Sequence, residues 1–194
     1  SARRRALQRD SIAVTALLGL AQVYRLQERA HPADLYRRRA FQVRYARGLD
    51  WIADGESDSA RDNLEAAVRI MPRHPLPHLR LGELQRAAGQ IDSAVVHFEH
   101  AVEANPRFAE SLIILGEAYI AARRTADAQQ AFGRAIEANI NALDAYLGLG
   151  RILSEQREWA MALSHFEKAL LIDPRSEPAL QGLDQARSHL RGRR

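Results

Sequence analysis

From Pro75 to Arg107 the apolar residues fall into two helical stripes. Leu76, Leu79, Leu81 and Leu84 mark one helix face, and Ala94, Val95, Phe98, Ala101 and Val102 mark another. Between them Ala87-Ala88-Gly89-Gln90 interrupts the pattern, and Gly89 suits the left-handed residue that commonly ends a helix. Asp92 or Ser93 can start the second helix. Asn105-Pro106 stops it, because the residue before a proline is pushed out of helical geometry. The segment reads as two amphipathic helices joined by a tight turn.

The same pattern recurs every 34 residues. Gly48, Gly82, Gly116 and Gly150 keep the interval, as do Ala60, Ala94, Ala128 and Ala162. Leu64, Phe98, Phe132 and Phe166 form a third column, and Ala67, Ala101, Ala135 and Ala169 a fourth. Pro72, Pro106 and Pro174 close three units, with Ile140 at the remaining place. A fixed period of this length marks a stacked repeat array. The glycines need a physical reason, since one in mid-helix costs about 1 kcal/mol relative to alanine. Close packing supplies it: Gly82 and Ala94 let two helices approach nearly backbone to backbone, with Phe98 beside the contact. One unit cannot bury both faces alone, so neighbours must stack.

These columns resemble those of the tetratricopeptide repeat family: Leu-Gly, a large residue three on, then Ala, an aromatic, Ala and Pro. Leu81-Gly82, Ala94, Phe98, Ala101 and Pro106 match, as do Leu115-Gly116, Tyr119, Ala128, Phe132 and Ala135. Leu149-Gly150, Ala162, Phe166, Ala169 and Pro174 match again. Arg47-Gly48, Trp51, Ala60, Leu64, Ala67 and Pro72 form a weaker copy, departing at Arg47 and Leu64. The resemblance gives four units, 41–74, 75–108, 109–142 and 143–176. It implies an all-α fold, a right-handed α-solenoid of helix-turn-helix repeats.

The flanks are less regular. Leu20, Tyr24, Ala33 and Ala40 keep a unit's internal spacing, but Ala33 lies 27 residues before Ala60. Residues 1–40 are therefore a basic helical segment, either a repeat shortened by seven residues or a separate hairpin. Helices are expected near 11–29 and 33–54, broken around His31-Pro32. Residues 177–194 read as a capping helix and a basic tail, with Leu180 and Leu183 on the apolar face. Asp184 replaces the glycine there, and Gln181, Gln185 and Ser188 are polar, as a solvating terminal cap requires.

Charge is unevenly distributed. The net charge of +4 combines a basic N-terminal stretch, eleven arginines against Asp10, Glu28 and Asp34 in residues 1–47, with an acidic repeat region. The tail from Arg191 to Arg194 is again basic. Twenty-seven of the 28 basic residues are arginine, which reads as codon bias and not as a functional signal. Cysteine is absent, excluding disulfides and thiolate metal sites and leaving the redox compartment open. Ser11 to Tyr24 is the longest apolar run, short of the ~20 residues needed to cross a bilayer. Asp10 abuts it and no A-x-A cleavage site follows, so a packed helix is expected, not a signal peptide. An anchor or leader upstream of Ser1 would leave no trace, so the compartment stays open between cytoplasm and a periplasmic or membrane-anchored setting.

The resemblance also places a partner site. In this family the inner, concave face is lined mainly by the first helix of each unit, and extended peptides or a single helix lie along it. The residues at those places are Tyr45, Leu49 and Ile52, then Leu76, Leu79, Glu83 and Arg86. Glu110, Ile113, Glu117 and Ile120 follow, then Asp144, Leu147, Arg151 and Ser154. Such a groove is apolar with an acidic bias, Arg86 and Arg151 excepted, and suits an amphipathic helix with basic flanks. One subclass grips a chaperone's C-terminal carboxylate with lysines and asparagines. Here those places carry Tyr45, Leu49, Ala46, Arg80, Asp144 and Gly148, so that clamp is missing.

Chemistry is poorly signalled. Gly148-Leu149-Gly150 lacks the third glycine and the preceding strand of a dinucleotide loop. The pairs His97/His100 and His74/His78 have metal-compatible spacing but no evident third ligand, and read as surface residues. No catalytic residue, metal site or cofactor is expected. The reading is a non-enzymatic scaffold that binds a protein segment. Two alternatives remain. One is a nucleic-acid or anionic-membrane binder acting through Arg3–Arg9, Arg37–Arg39 and the C-terminal arginines. The other is a homo-oligomer in which residues 1–40 enter a neighbour's groove.

Overall fold

The computed structural model describes the backbone of residues 2–191 and the side chains of residues 10 and 12–191. The arginines of Arg3–Arg9, with Arg193 and Arg194, lie outside the described side chains. Among the described residues the chain is all-α, with ten helices and no strand. It divides into two compact units, 1–88 and 89–194. The first unit holds α1 (Ala2–Leu26), α2 (Ala30–Ala53), α3 (Ser57–Ile70) and α4 (Pro75–Ala87). The second holds α5 (Ile91–Ala104), α6 (Ala109–Ala121), α7 (Thr125–Ala138), α8 (Leu143–Glu155), α9 (Trp159–Ile172) and α10 (Glu177–Arg191).

The 34-residue period governs the helix boundaries: α4, α6 and α8 are in phase, as are α3, α5, α7 and α9. It governs the turns as well. The left-handed position recurs as Gly55 (φ 78°), Gly89 (φ 75°), Arg123 (φ 59°) and Arg157 (φ 62°). At three of these, the following N–H reaches back five residues: Glu56 N to Trp51 O at 2.9 Å, Arg124 N to Tyr119 O and Glu158 N to Leu153 O at 2.8 Å. This Schellman closure satisfies carbonyls that a helix end otherwise leaves open. The second helices end in extended backbone at Asn105, Asn139 and Asp173. Asn139 needs no following proline, because its Oδ1 accepts from Asn141 N at 3.0 Å.

Three expected boundaries move, the first being that of α1, which starts at Ala2 and not near residue 11. α5 starts at Ile91 behind Gln90, not at Asp92 or Ser93, and makes no side-chain cap hydrogen bond. Asp92 instead sits in the first turn, where its charge complements the helix dipole. The N-terminal break lies at Gln27–Arg29, where Glu28 takes φ 56° and Arg29 N closes on Tyr24 O at 2.9 Å. His31 and Pro32 belong to the first turn of α2. A proline is tolerated there because a first-turn N–H has no helical partner to lose.

In the first unit α2 runs unbroken through residue 41. Its N-terminal half buries Ala33 and Ala40, the counterparts of Ala60 and Ala67 at 27 residues' distance. Its C-terminal half buries Gly48 against Leu64 of α3. Seven residues are nearly two helical turns, about 700° of rotation, so their loss keeps both faces in phase. α1 packs on α2 as an ordinary helix, burying Val14 and Ala21, stacking Tyr24 on Tyr36 at 5.5 Å and pairing Asp10 with Arg47. The segment considered for docking in a neighbour thus has one face already engaged.

In the second unit two rings of the aromatic column, Phe132 and Phe166, are held between glycines. A β-carbon at Gly116 would lie 2.7 Å from the Phe132 ring, and one at Gly148 would lie 2.6 Å from the same ring. Phe166 repeats the arrangement between Gly150 and Gly182. Each ring therefore fills the space between the first helix of its own repeat and that of the next. Ala128, Ala135, Ala162 and Ala169 are fully buried beside them.

Candidate functional site

The inner sides of α6, α8 and α10 enclose a cleft of about 400 Å³ in the second unit. Its floor is the edges of Phe132 and Phe166, reached past Gly148 and Gly182, with Leu147 beside them. Glu117 and Asp144 bring two carboxylates to the walls, and Arg151 brings one guanidinium. Ser154 lies at the end of α8, its hydroxyl donating to Gly150 O at 2.8 Å. Pro178, Gln181 and Gln185 of α10 complete the lining. An apolar floor between charged and amide walls can seat an apolar side chain and orient polar groups around it.

Five sequence-predicted residues, Glu117, Asp144, Leu147, Arg151 and Ser154, come together here. Glu110, Ile113 and Ile120 lie on α6 outside this cleft, Glu110 exposed and the isoleucines half-buried. The other predicted residues belong to the first unit. Leu49 and Leu76 are partly exposed, and Ile52 is half-buried. Tyr45 stacks on Phe41 at 5.8 Å. Arg80 donates to Glu83 Oε2 at 2.7 Å, and that carboxylate, then the Tyr45 hydroxyl, raises the arginine's pKa. Arg86 is exposed on the last turn of α4. Leu79 is only 7% exposed, so its contribution is to packing.

Residues 178, 181, 182 and 185 went unread as cleft residues, although the period reaches them. Pro178, Gln181, Gly182 and Gln185 stand 34 residues after Asp144, Leu147, Gly148 and Arg151. The polar surface of α10 was read as a solvating cap, and it serves as a third cleft wall as well. α10 is fixed by stacking of His189 on Trp159 at 4.0 Å and by an ion pair between Arg187 and Glu167 at 3.5 Å.

The α6 wall rests on a polar lock to the preceding repeat. Tyr119 of α6 donates its hydroxyl to Glu99 Oε1 of α5 at 2.7 Å, and Arg124 lies over its ring at 4.4 Å. Burial, then the Glu99 carboxylate, pushes the Tyr119 phenol up to about 12. His165 tilts against Tyr146 at 6.0 Å, and burial followed by the nearby Lys168 lowers its pKa. The expected surface histidines are mixed. His78 is buried, its Nε2 3.1 Å from Pro72 O, and His74 packs on the Phe41 ring at 4.3 Å, while His100 is exposed. Burial won at His78 because the Pro72 carbonyl satisfies its ring nitrogen. No cluster of three or more His, Cys, Asp or Glu able to hold a metal occurs among the described residues.

An all-α series of helix pairs at a 34-residue period, with Phe132 and Phe166 wedged between glycines of successive first helices, defines a helical repeat protein. Sequence models described as tetratricopeptide repeat match residues 52–110 and 85–139, and another matches residues 115–177. The chain belongs to the tetratricopeptide repeat family. A comparison with curated proteins gives no match. Among solved structures it is similar to MamA, at 25% identity over 77% of this chain and 82% of that one, with a TM-score of 0.72. It is similar in fold to YrrB, described as a TPR protein with an unusual peptide-binding site, at 19% identity over 93% and 97% of the chains and a TM-score of 0.65. It is also similar in fold to the first TPR of Spaghetti bound to HSP90 peptide SRMEEVD, at 20% identity over 60% and 92% of the chains and a TM-score of 0.57. Proteins of this family are generally non-enzymatic scaffolds for protein–protein interaction.

Proposed function

We propose that the cleft of α6, α8 and α10 binds a segment of a partner protein, an extended peptide or a single helix. The segment sets an apolar anchor on Leu147 and the Gly148–Gly182 floor and turns basic residues toward Glu117 and Asp144. One observation carries this reading: side chains 34 residues apart on successive first helices line a single cleft with an apolar floor and two carboxylates. A linear ligand crossing successive repeats meets equivalent positions in register. The similarity to YrrB and to the peptide-bound Spaghetti repeat, both tetratricopeptide repeat structures, supports peptide binding as the class of activity.

The test is fluorescence anisotropy with a labelled amphipathic peptide carrying leucine anchors and lysine flanks. Wild type should bind it, and Glu117→Gln with Asp144→Asn should weaken binding, chiefly through slower association and less so at high salt. Exchange of an outer-face acid, Glu137→Gln, should leave affinity unchanged. Binding lost with Glu137→Gln but kept with the cleft pair would reject the site.

A further inference from the structure

We infer that the outward face of α1 is a second binding surface, separate from the cleft, and that it docks on a bilayer carrying anionic lipid. α1 has two apolar faces. Val14 and Ala21 are buried on the side toward α2, while Ile12, Leu20, Val23 and Leu26 stand 63%, 43%, 49% and 73% exposed. At 100° per residue these four fall within about one-third of the helix circumference, a continuous stripe about 21 Å long. Small residues Ala16 and Gly19 lie within it, and a β-carbon at Gly19 would meet nothing within 4 Å. The stripe is an open ridge, without the walls that a docked protein helix would use.

Charge selects the occupant. Arg29 lies over the Tyr24 ring at 5.1 Å, and at 100° per residue Tyr24 stands about 40° beyond Leu20, next to the edge of the stripe. Arg25 and Arg37 line a cleft on the other flank of α1, toward α2, where Asp34 lies 4.0 Å from Arg37. The surrounding sequence, residues 1–47, holds eleven arginines against three acids. A second copy of α1 is disfavoured: antiparallel pairing would lay the arginine-rich start of one helix on Arg29 of the other, and parallel pairing would superpose like charges. Nucleic acid would satisfy the arginines and leave the leucines in water. An anionic membrane surface satisfies both, the stripe entering the acyl boundary and the guanidiniums reaching phosphates, the two signals that stable surface anchoring needs. No helix among the described residues is long and apolar enough to cross a membrane, so this contact lies in the interface plane.

The experiment is flotation of the intact chain with phosphatidylcholine vesicles, with and without one-third of the lipid as phosphatidylglycerol. Wild type should float with the anionic vesicles and stay behind with the neutral ones. Val23→Ser with Leu26→Ser changes only exposed positions and should lower the bound fraction about tenfold. Arg29→Gln should lower it as well through the charge term, whereas Arg25→Gln with Arg37→Gln, on the other flank, should change it far less. Leu26→Trp should show a blue-shifted indole emission on anionic vesicles, beyond that of the native tryptophans. Wild type remaining in solution, or floating equally well with the serine pair, overturns the proposal; the second outcome would mark a purely electrostatic contact. Peptide binding in the cleft is scored separately and should be unchanged in all these variants.

Discussion

Phe132 occupies the space that a β-carbon would need at Gly148, where one would lie 2.6 Å from the ring. The ring cannot retreat, because Gly116 holds it from the other side at 2.7 Å by the same measure and the side chain is only 1% exposed. Gly148→Ala should therefore cost about 2 kcal/mol through overpacking. Gly133→Ala, also in a helix but with nothing within 4 Å of a new β-carbon, should gain about 0.5–1 kcal/mol. Urea unfolding of the two variants should give opposite signs.

The turn positions give a second contrast. Arg123 and Arg157 hold left-handed backbone at φ 59° and 62°, where Gly89 holds φ 75°. Arg157→Gly should relieve strain and stabilise by about 1 kcal/mol, with Gly89→Ala losing a similar amount. Thermal melts that rank both variants on the same side of wild type would contradict the assignment of these turns.

Tyr119 gives the pH dependence. Its phenol is pushed up to about 12 in the folded chain, from an ordinary value of 10.0. A raised pKa means the native state holds its proton longer than the unfolded state does. This contribution to stability is full below pH 10 and is lost as pH rises from about 10 to about 12. Denaturation across that window should show the loss in wild type and a smaller one in Tyr119→Phe. An absorbance titration should show one tyrosine ionising later than the rest, and that phase should vanish in the variant.

Leu79 separates packing from binding. A charge at this buried side chain faces an apolar surround, so Leu79→Asp should lower stability by several kcal/mol, as unpaired buried charges do. A lowered melting temperature with no selective loss of peptide affinity at temperatures where the variant is folded is the expected pattern.

Much of this fold is legible in the sequence because its determinants are periodic. A glycine column, two alanine columns and an aromatic column at one interval specify where helices must touch, and Gly116, Phe132, Gly150 and Phe166 meet as that spacing requires. The turn at Gly89 is legible from its glycine, but those at Arg123 and Arg157 are not. There the Schellman hydrogen bonds impose a left-handed residue that side-chain identity does not announce. Five of the twelve residues lining the cleft follow from the family resemblance, which places them on the first helices. The α10 wall was hidden because Gln181 and Gln185 look like solvent-facing residues whether or not a cleft lies in front of them. His78 was misread because nothing in its local pattern signals the Pro72 carbonyl that permits its burial.

In the proposed function a partner segment lies across α6, α8 and α10. The most direct test is amide chemical-shift mapping of the chain titrated with the leucine-anchored, lysine-flanked peptide. Perturbations are expected at Glu117, Leu147, Gly148, Arg151, Gln181 and Gly182, with Arg134, Glu137 and Leu171 unmoved. Shifts confined to α7 and α9 at those last residues, with the cleft silent, would contradict it.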